Sequence, residues 1–302
     1  MEHVTIVSHD AGGAEILSSW LRRNNCLASV VAFGPAENIF KRKCPKADFT
    51  SLDKALTKSN WLLCGTGWQT SFERHAIIQG RDLGMKTVAF LDHWVNYRER
   101  FDENGRIVLP DEIWVGDSDA ERIAHSLFDK TPILLKPNPY LQDLLDEMSG
   151  IKKIKSEAKE HKVLYVCEPI EEHALLQYGN KHHLGYTEFD ALSFFLNNLS
   201  ALGKSIDCIT IRPHPSERED KYQWAISQFQ LPLKFGGKKT LIEETLECDI
   251  VVGCESMAMV VGLMAEKRVI SSIPPGGRPC QLPQQDIEHL QKLIKSRGFD
   301  HD

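Results

Sequence analysis

The stretch VTIVSHDAGGAEILSSWLRR, residues 4–23, contains the two kinds of segment from which the chain is built. It begins with VTIV, a short β-branched run typical of a buried strand, and continues into AEILSSWLRR, whose apolar residues have helical spacing. Further strand-like runs, with helical segments among them, lie at 28–33, 61–64, 87–92, 112–116 and 132–135. This alternation predicts a parallel sheet covered by helices on both faces.

A second series of the same kind follows the lysine-rich stretch SGIKKIKSEAKEHK at 149–162. Its helical segments include EFDALSFFLNNLSALG, which ends at the capping residue Gly203, and a final amphipathic helix, QQDIEHLQKLIKSRG. Its strand-like runs lie at 163–167, 208–211, 249–253 and 268–272. We therefore predict an α/β protein of two Rossmann-like, doubly wound domains that face a cleft: residues 1–150, a linker at 151–162, and residues 163–302.

Composition excludes several classes of protein. The chain has 302 residues, a formal net charge of −6 and a pI of about 6.1, which disfavours a general nucleic-acid binder. Its eight cysteines form no CxxC pair, so we expect small buried side chains in a reducing compartment rather than a zinc ribbon. The N-terminus does not resemble a signal peptide, and the most apolar helical run, MAMVVGLMA, is too short to span a bilayer. We expect a cytoplasmic protein.

Parallel sheets bind ligands beyond the carboxyl ends of their strands, so the loops after strands are the candidate sites. In SHDAGGAE, residues 8–15, His9 and Asp10 stand where a general base could act. Gly12 and Gly13 would let an anion approach the start of a helix. In the alternative interpretation, Asp10 only caps that helix and the glycines only turn the chain.

The loop CGTGWQTSFE, residues 64–73, is a second candidate. Gly65, Thr66 and Gly67 could form a phosphate or substrate loop at the end of a strand. The spacing of Thr70 and Glu73 also matches a capping box, which would be purely structural.

The segment LDHWVNYRERF, residues 91–101, is a third candidate. Asp92 and His93 end a strand and are further candidates for the catalytic base. The residues after them could form a wall for a sugar or phosphate, or the aromatic ones could be buried under the loop: Trp94, Tyr97, Arg98 and Arg100. The histidines and aspartates of this loop and of 8–15 lack tight metal-ligand spacing, so we predict no metal site.

The stretch TIRPHPSERE, residues 210–219, is a stiff cationic corner after a strand. Pro213 and Pro215 fix the direction of His214, and Arg212 and Ser216 add further donors. An arginine and a histidine held in this way suit a phosphate or diphosphate. A helix capped by Ser216 is the structural alternative.

Two more loops of the second half are candidates for the predicted phosphate site. In DIVVGCESMAMVVGLMAEKRVIS, residues 249–271, a strand ends at Gly253, and Ser256 opens an apolar helix whose first turn could hold a phosphate. Glu255 would repel that phosphate and is better suited to ribose or base hydroxyls. Glu168 lies at the tip of another strand, before a long connection whose histidines match no known metal spacing: His173, His182 and His183.

At RPHP and at residues 249–271 the sequence resembles GT-B glycosyltransferases that use nucleotide-activated sugars. The closest patterns are those of bacterial sialyltransferases, polysialyltransferases and the capsule and teichoic-acid polymerases. The resemblance implies a donor nucleotide bound mainly by the second domain, with His214 and Ser256 at its phosphate. Those enzymes carry an acidic pair before a glycine in the first domain, whereas HDAGG has one acid, Asp10. Their serine motif has a second Ser or Thr where this chain has Met257.

These observations predict an inverting, metal-independent glycosyltransferase that needs no cofactor. Asp10, or else Asp92 or His93, would deprotonate a glycan or lipid-linked acceptor, and the second domain would bind a nucleotide-sugar donor. A CMP-sugar is favoured, with UDP and CDP left open, and a lipid-linked acceptor would imply contact with the inner membrane face. Two alternatives stay open: a nucleotide-sugar epimerase or hydrolase, and a non-catalytic sugar-nucleotide-binding protein.

Overall fold

The computed structural model describes residues 2–68, 70–151, 160–296 and 298, and the chain divides into two compact units, Met1–Asp143 and Leu144–Asp302. Each unit is built on a parallel sheet with helices packed against it, so the predicted α/β fold with two Rossmann-like units is confirmed. Most of the predicted linker, 151–162, lies outside the described residues. No helix in the described part of the chain has the length and apolar character needed to cross a membrane.

The first unit alternates strands and helices along its length. Its strands are β1 (His3–Ser8), β2 (Leu27–Ala32), β3 (Asp48–Phe49), β4 (Trp61–Cys64), β5 (Lys86–Phe90), β6 (Asp102–Glu103), β7 (Arg106–Ile107), β8 (Glu112–Val115) and β9 (Ile133–Leu135). Its helices are α1 (Ala11–Arg23), α2 (Pro35–Lys43), α3 (Leu52–Lys58), α4 (Phe72–Asp82), α5 (Ser118–Leu127) and α6 (Pro139–Gly150), which runs on into the second unit.

In the described part of this unit, seven strands form one parallel sheet in the order β3-β2-β1-β4-β5-β8-β9, and β6 pairs with β7 in a separate antiparallel hairpin. The strands predicted in this half are confirmed to within a residue or two. The core lies where the apolar faces of β1 and α1 meet: Val4, Ile6, Ile16 and Leu17 are almost fully buried. The sequence did not predict α2, α3 or β3, because their segment is largely polar and Phe40 is its main buried anchor.

The second unit repeats the plan. Its strands are β10 (His161–Val166), β11 (Ile206–Arg212), β12 (Leu233–Phe235), β13 (Ile250–Gly253), β14 (Arg268–Ser271) and β15 (Ile287–His289). Its helices are α7 (Ile170–Tyr178), α8 (Glu188–Asn197), α9 (Gln223–Gln228), α10 (Leu241–Glu247), α11 (Met257–Met264) and α12 (Leu290–Ser296). All of these strands pair in parallel, in the order β12-β11-β10-β13-β14-β15.

Two predicted helices of this unit differ from the structure. The final helix begins only at Leu290, because Ile287 to His289 pair with β14 as an edge strand. The predicted helix at 188–203 is α8 followed by a short 3₁₀ turn, since the Asn198 side chain donates to the Phe194 carbonyl and ends α8. Gly203 ends that turn with a φ of 85°, which confirms it as the cap.

The order of strands reverses at one point in each sheet. In the first unit the reversal lies between β1 and β4, and in the second it lies between β10 and β13. Open α/β sheets bind ligands beyond the carboxyl ends of the strands at such a point. The loops at these two places are those that begin at His9, Gly65, Glu168 and Cys254.

Candidate active site

The first unit gathers acidic side chains beyond the carboxyl ends of β1, β4 and β5, which are adjacent in its sheet. Asp10 follows β1, Asp92 follows β5, and Glu73 lies in the first turn of α4. The charges of Asp92, Glu73 and Arg100 all act on the ionisation of Asp10. We call these four residues the acidic cluster. The sequence predicted Asp10 and Asp92 as alternative candidates for the catalytic base, and it gave Glu73 and Arg100 other roles.

The capping role that the sequence offered for Asp10 is confirmed, and its role as a base stays a prediction. Its carboxylate caps α1 by accepting a hydrogen bond from the Gly13 amide at 3.1 Å. Burial, together with the negative charges of Asp92 and Glu73, raises its pKa from 3.8 to about 7, although Arg100 opposes the shift. A carboxyl with such a pKa can accept or release a proton near neutral pH, as a general base or acid must.

Arg100 forms an ion pair with Asp92 and also binds Thr66. Its Nη1 donates to Asp92 Oδ1 at 2.5 Å and to the backbone and hydroxyl oxygens of Thr66 at 2.9 and 3.0 Å. The guanidinium is buried, so this ion pair holds Asp92 and the 64–67 loop in one arrangement. Burial is the main reason that the Asp10 pKa is raised, and the Arg100 guanidinium offsets only part of the repulsion from Asp92 and Glu73.

Glu73 is the acidic residue that the sequence misassigned. The predicted capping box with Thr70 is wrong, because Ser71 is the N-cap of α4 and Glu73 Oε1 accepts the His9 amide at 2.8 Å. Burial raises the Glu73 pKa, and its Oε2 has no hydrogen-bond partner among the described residues. The periodicity of α4 cannot reveal this role, because it depends on the neighbouring strand β1.

The glycines of this region bring backbone and carboxylates close together. A Cβ on Gly12 would lie 2.0 Å from Asp92 Oδ2, and one on Gly67 would lie 3.1 Å from Glu73 Oε1. A Cβ on Gly13 would lie 3.2 Å from the Gly65 Cα, so α1 and the loop after β4 pack against each other. The space beside these glycines is acidic, and a phosphate role for them stays a prediction.

The two histidines of the strand tips are the sequence neighbours of Asp10 and Asp92. Nδ1 of His9 and Nδ1 of His93 are buried and have no hydrogen-bond partner in the described part of the chain. Burial lowers the His93 pKa to about 4, so its ring is neutral at physiological pH. His93 can therefore exchange hydrogen bonds with a ligand but brings no positive charge.

The predicted wall of the 91–101 segment is largely buried instead. Trp94 and Tyr97 are 7% and 2% exposed, and the Trp94 indole donates to Asp117 Oδ2 at 2.9 Å. Arg100 is bound to Asp92, and only Arg98 is fully exposed. The aromatic residues thus support the loop that carries Asp92. Across the described residues, no group of three or more His, Cys, Asp or Glu side chains is placed to hold a metal ion.

In the second unit, Glu168 connects the two loops at the reversal point. Its Oε1 accepts hydrogen bonds from the Cys254 and Glu255 amides, both at 2.9 Å. Burial raises the Glu168 pKa to about 7, and the charge of Glu255 adds to the shift. The carboxylate thus occupies two backbone donors directly before α11, and a phosphate at the first turn of α11 stays a prediction.

The other residues predicted at the start of α11 also have partners in the protein. The Ser256 hydroxyl caps α11 by accepting from the Ala258 amide at 3.0 Å. Glu255 forms an ion pair with Arg278 and accepts the Gln281 amide at 3.0 Å. Gly253 allows close packing, since a Cβ there would lie 2.8 Å from the nearest methyl of Val166.

The RPHP corner differs from the sequence-based picture in its charge. Arg212 Nη1 is paired with Glu244 Oε2 at 2.6 Å and also donates to the Lys239 carbonyl at 3.0 Å. Burial lowers the His214 pKa, so that ring is neutral. The predicted free cation pair is therefore wrong.

The geometry of the corner also selects the tautomer of His214. Its Nδ1 accepts the Ser216 amide at 3.2 Å, so the proton of the neutral ring lies on Nε2. The corner is a turn rather than a helix start: the Ser216 hydroxyl lies 2.8 Å from the same Nδ1, and Pro215 is exposed. His214 thus presents one N–H donor, fixed in direction, beyond the end of β11.

Comparison with known proteins identifies the fold of the chain but not its function. No family model matches the chain, and no curated protein matches it in sequence. Among solved structures, UDP-GlcNAc 2-epimerase from Methanocaldococcus jannaschii has a TM-score of 0.60 and 11% identity, over 98% of this chain and 92% of that one. The Neisseria meningitidis UDP-GlcNAc 2-epimerase bound to UDP-GlcNAc has a TM-score of 0.61 and 11% identity, over 98% and 90%.

A complex of S. aureus MnaA with UDP has a TM-score of 0.61 and 9% identity, over 100% of this chain and 88% of that one. At such identities the likeness establishes architecture, and function must be argued from the site. The chain has the GT-B-like, two-domain Rossmann fold of these proteins.

Proposed function

We propose that this protein is a nucleotide-sugar enzyme in which Asp10 carries a proton during cleavage of the bond between sugar and phosphate. The observation that carries the proposal is the acidic cluster, which sits at the strand-order reversal of the first unit and holds the Asp10 pKa at about 7. Strongly perturbed pKa values at such a position are typical of catalytic acids and bases.

In the transfer reaction, Asp10 acts as the general base that takes the proton of an acceptor hydroxyl. The acceptor oxygen attacks the anomeric carbon, and the nucleotide phosphate leaves on the opposite face, which inverts the configuration. Asp92, held by Arg100, fixes the geometry around Asp10 and maintains its high pKa. Positioned proton transfer of this kind typically contributes about 10²- to 10⁴-fold in rate.

The second unit supplies the donor side in this proposal. His214 donates its Nε2–H to the phosphate as it leaves, and the stiff Pro213–Pro215 corner keeps that donor in place. The role of Arg212 depends on release from Glu244, and that of the Cys254 and Glu255 amides on release from Glu168. The two solved complexes named above hold UDP-GlcNAc and UDP, so UDP-sugars belong beside CMP-sugars among the donors to be tested.

A 2-epimerase is the second candidate, and a specific observation favours it. Inversion at a carbon needs one group to remove a proton and another to return it. The cluster holds two carboxyls with raised pKa values, Asp10 and Glu73, next to the neutral His93. The fold neighbours with TM-scores of 0.60 and 0.61 include two proteins named as such epimerases.

Incubation of the protein with UDP-, CMP-, CDP- and ADP-sugars in D₂O, followed by ³¹P and ¹H NMR, tests the proposal. Nucleotide release that requires an added acceptor glycan supports transfer. Deuterium incorporation into the intact or epimerised sugar supports epimerisation, and release without an acceptor indicates a hydrolase. Binding of a nucleotide without turnover of any sugar would leave a binding protein, and failure to bind any nucleotide would overturn the proposal.

A further inference from the structure

The second unit contains a cavity of about 510 Å³ that belongs to none of the loops discussed so far. It lies beside β10, β11 and β12 and is bounded on one side by α10. Apolar side chains form part of its wall: Val163, Phe235 and Leu246. Cavities of this size commonly hold small-molecule ligands.

The lining of this cavity is rich in lysine. Five lysines face three carboxylates there, in a chain whose overall net charge is −6. Of the lysines, four have no acidic partner among the described residues: Lys162, Lys234, Lys238 and Lys267. The cavity is therefore a local concentration of positive charge on an acidic protein, and such a concave cationic surface attracts anions.

The carboxylates of the lining do not neutralise this charge. Glu244 is paired with Arg212, which lies outside the lining, and Glu247 is paired with Lys239. Asp249 accepts the backbone amide of Lys162 at 2.8 Å. The positive charges of Lys162, Lys234 and Lys238 are thus uncompensated by the acids around them.

One lysine of the lining is fixed in place. The Nζ of Lys267 donates to the carbonyl oxygens of Leu246 at 3.1 Å and of Cys248 at 2.6 Å. An ammonium group has three N–H donors, so these bonds leave one for a further acceptor. Lys267 therefore holds an immobile positive charge at one end of the cavity. Because this side chain is already ordered, ligand binding there costs less conformational entropy than binding to a mobile lysine.

The cavity extends away from the loops of the predicted donor site, although its lining includes Glu244, the ion-pair partner of Arg212. Lys162 lies at the start of β10, and Asp249 and Lys267 directly precede β13 and β14. The loops of Glu168 and Cys254 follow the carboxyl ends of β10 and β13. Strands of a parallel sheet run in one direction, so the cavity reaches the edge of the sheet opposite to those loops.

From these observations we propose that the cavity is a second ligand site, which binds a small organic phosphate carrying at least two negative charges. The four unpaired lysines would bind the phosphate oxygens, and the Phe235 side of the wall would contact the organic part. This proposal does not rest on the nucleotide-sugar reaction.

Calorimetric titration with inorganic pyrophosphate at low ionic strength tests this proposal. The test variant is Lys234→Gln with Lys238→Gln, and the matched control is Lys204→Gln with Lys292→Gln, which removes the same charge from exposed lysines outside the lining. Two charge-assisted contacts are lost in the test variant. The affinity of its cavity for pyrophosphate should therefore fall on the order of tenfold or more. The control variant should bind pyrophosphate like the wild type.

The variant His214→Ala separates this site from the proposed donor site. Binding that survives in His214→Ala and is lost in the lysine variant supports the cavity. Absence of pyrophosphate binding to the wild type, or binding that the lysine substitutions leave unchanged, would overturn it. Acetylation followed by mass spectrometry gives a check without mutation: pyrophosphate should protect Lys162, Lys234 and Lys238 but not Lys204, and equal labelling of all four would contradict the proposal.

Discussion

At the scale of single residues, Asp10 shows how one side chain can serve structure and chemistry together. As an N-cap it needs only an oxygen that accepts the Gly13 amide, which Asn also provides. As a proton carrier it needs a carboxyl beside Asp92 and Glu73, whose charges help to raise its pKa to about 7. Substitution with Asn therefore separates the two roles.

The pH dependence of stability should reveal the buried Asp10 carboxyl. Its pKa is 3.8 in an ordinary environment and about 7 in the folded chain. Between these pH values, Asp10 is protonated in the folded state and ionised in the unfolded state. The contribution of Asp10 to the free energy of unfolding should thus fall as pH rises from about 4 to about 7. Urea unfolding at pH 5 and pH 8 should show Asp10→Asn gaining stability relative to wild type at the higher pH.

Asp117 is the control, because it caps α5 by accepting the Ala120 amide at 2.8 Å. In Asp117→Asn the difference from wild type should be nearly the same at the two pH values. A constant difference for Asp10→Asn as well would contradict the account of the cluster.

Gly12 provides a steric test of the cluster. In Gly12→Ala the new Cβ would lie 2.0 Å from Asp92 Oδ2, and Asp92 cannot move away without leaving Arg100. We expect a loss of about 1–3 kcal/mol in the free energy of unfolding, as for other overpacked sites. Thermal and urea unfolding measure it, with Gly150→Ala as the control, since nothing lies within 4 Å of a Cβ there. Equal stability of the two variants would show that the cluster is not packed as described.

The sequence predicted the residues of the site that directly follow strands and missed those that come from elsewhere. His9, Asp10 and Asp92 were found because strand ends can be read from β-branched runs. Glu73 and Arg100 act across the fold, and their positions depend on which strands are neighbours. Local patterns do not contain that information.

At the scale of secondary-structure elements, Glu168 joins the end of β10 to the loop before α11. Its carboxylate satisfies the amides of Cys254 and Glu255, which lie where the sequence predicts a bound phosphate. A buried carboxylate there provides the negative charge that a helix start favours. Any phosphate at this place must therefore compete with Glu168.

Two substitutions of Glu168 separate its hydrogen bonds from its charge. Glu168→Ala leaves two buried amides without an acceptor, at a cost of about 1–3 kcal/mol each. Glu168→Gln keeps an acceptor oxygen but removes the carboxyl, whose pKa burial raises to about 7. The Gln variant should therefore be clearly more stable than the Ala variant at pH 8. Urea unfolding of both variants measures the difference. Equal losses would mean that the two hydrogen bonds contribute little.

The sequence predicted the elements whose hydrophobic periodicity is clear and missed those in which it is weak. β1, β4 and α5 have clear patterns and were predicted. The 287–289 strand was predicted as helix, because it is short and is followed directly by the helical pattern of α12. Its pairing with β14, for example Val269 with Ile287, outweighs the local pattern.

At the scale of the whole molecule, the two units share a plan but differ in the charge they gather. Each sheet reverses its strand order once, and polar residues lie beyond that point in both. In the first unit these residues form the acidic cluster, whereas the second places the Glu168 carboxylate there and a neutral histidine donor, His214, beyond the neighbouring strand β11. This difference fits a division of labour between acid–base chemistry and donor binding, which is the central claim.

The most direct test of that claim is the pH dependence of nucleotide-sugar consumption by wild type and Asp10→Asn, followed by nucleotide release or product formation. The wild-type rate should rise with pH through about 7 as Asp10 becomes the free base. Above pH 7 the Asn variant should be about 10²-fold or more slower than the wild type, and its rate should not rise with pH through 7, while its affinity for the nucleotide is unchanged. A variant as active as wild type, with the same pH profile, would contradict the account.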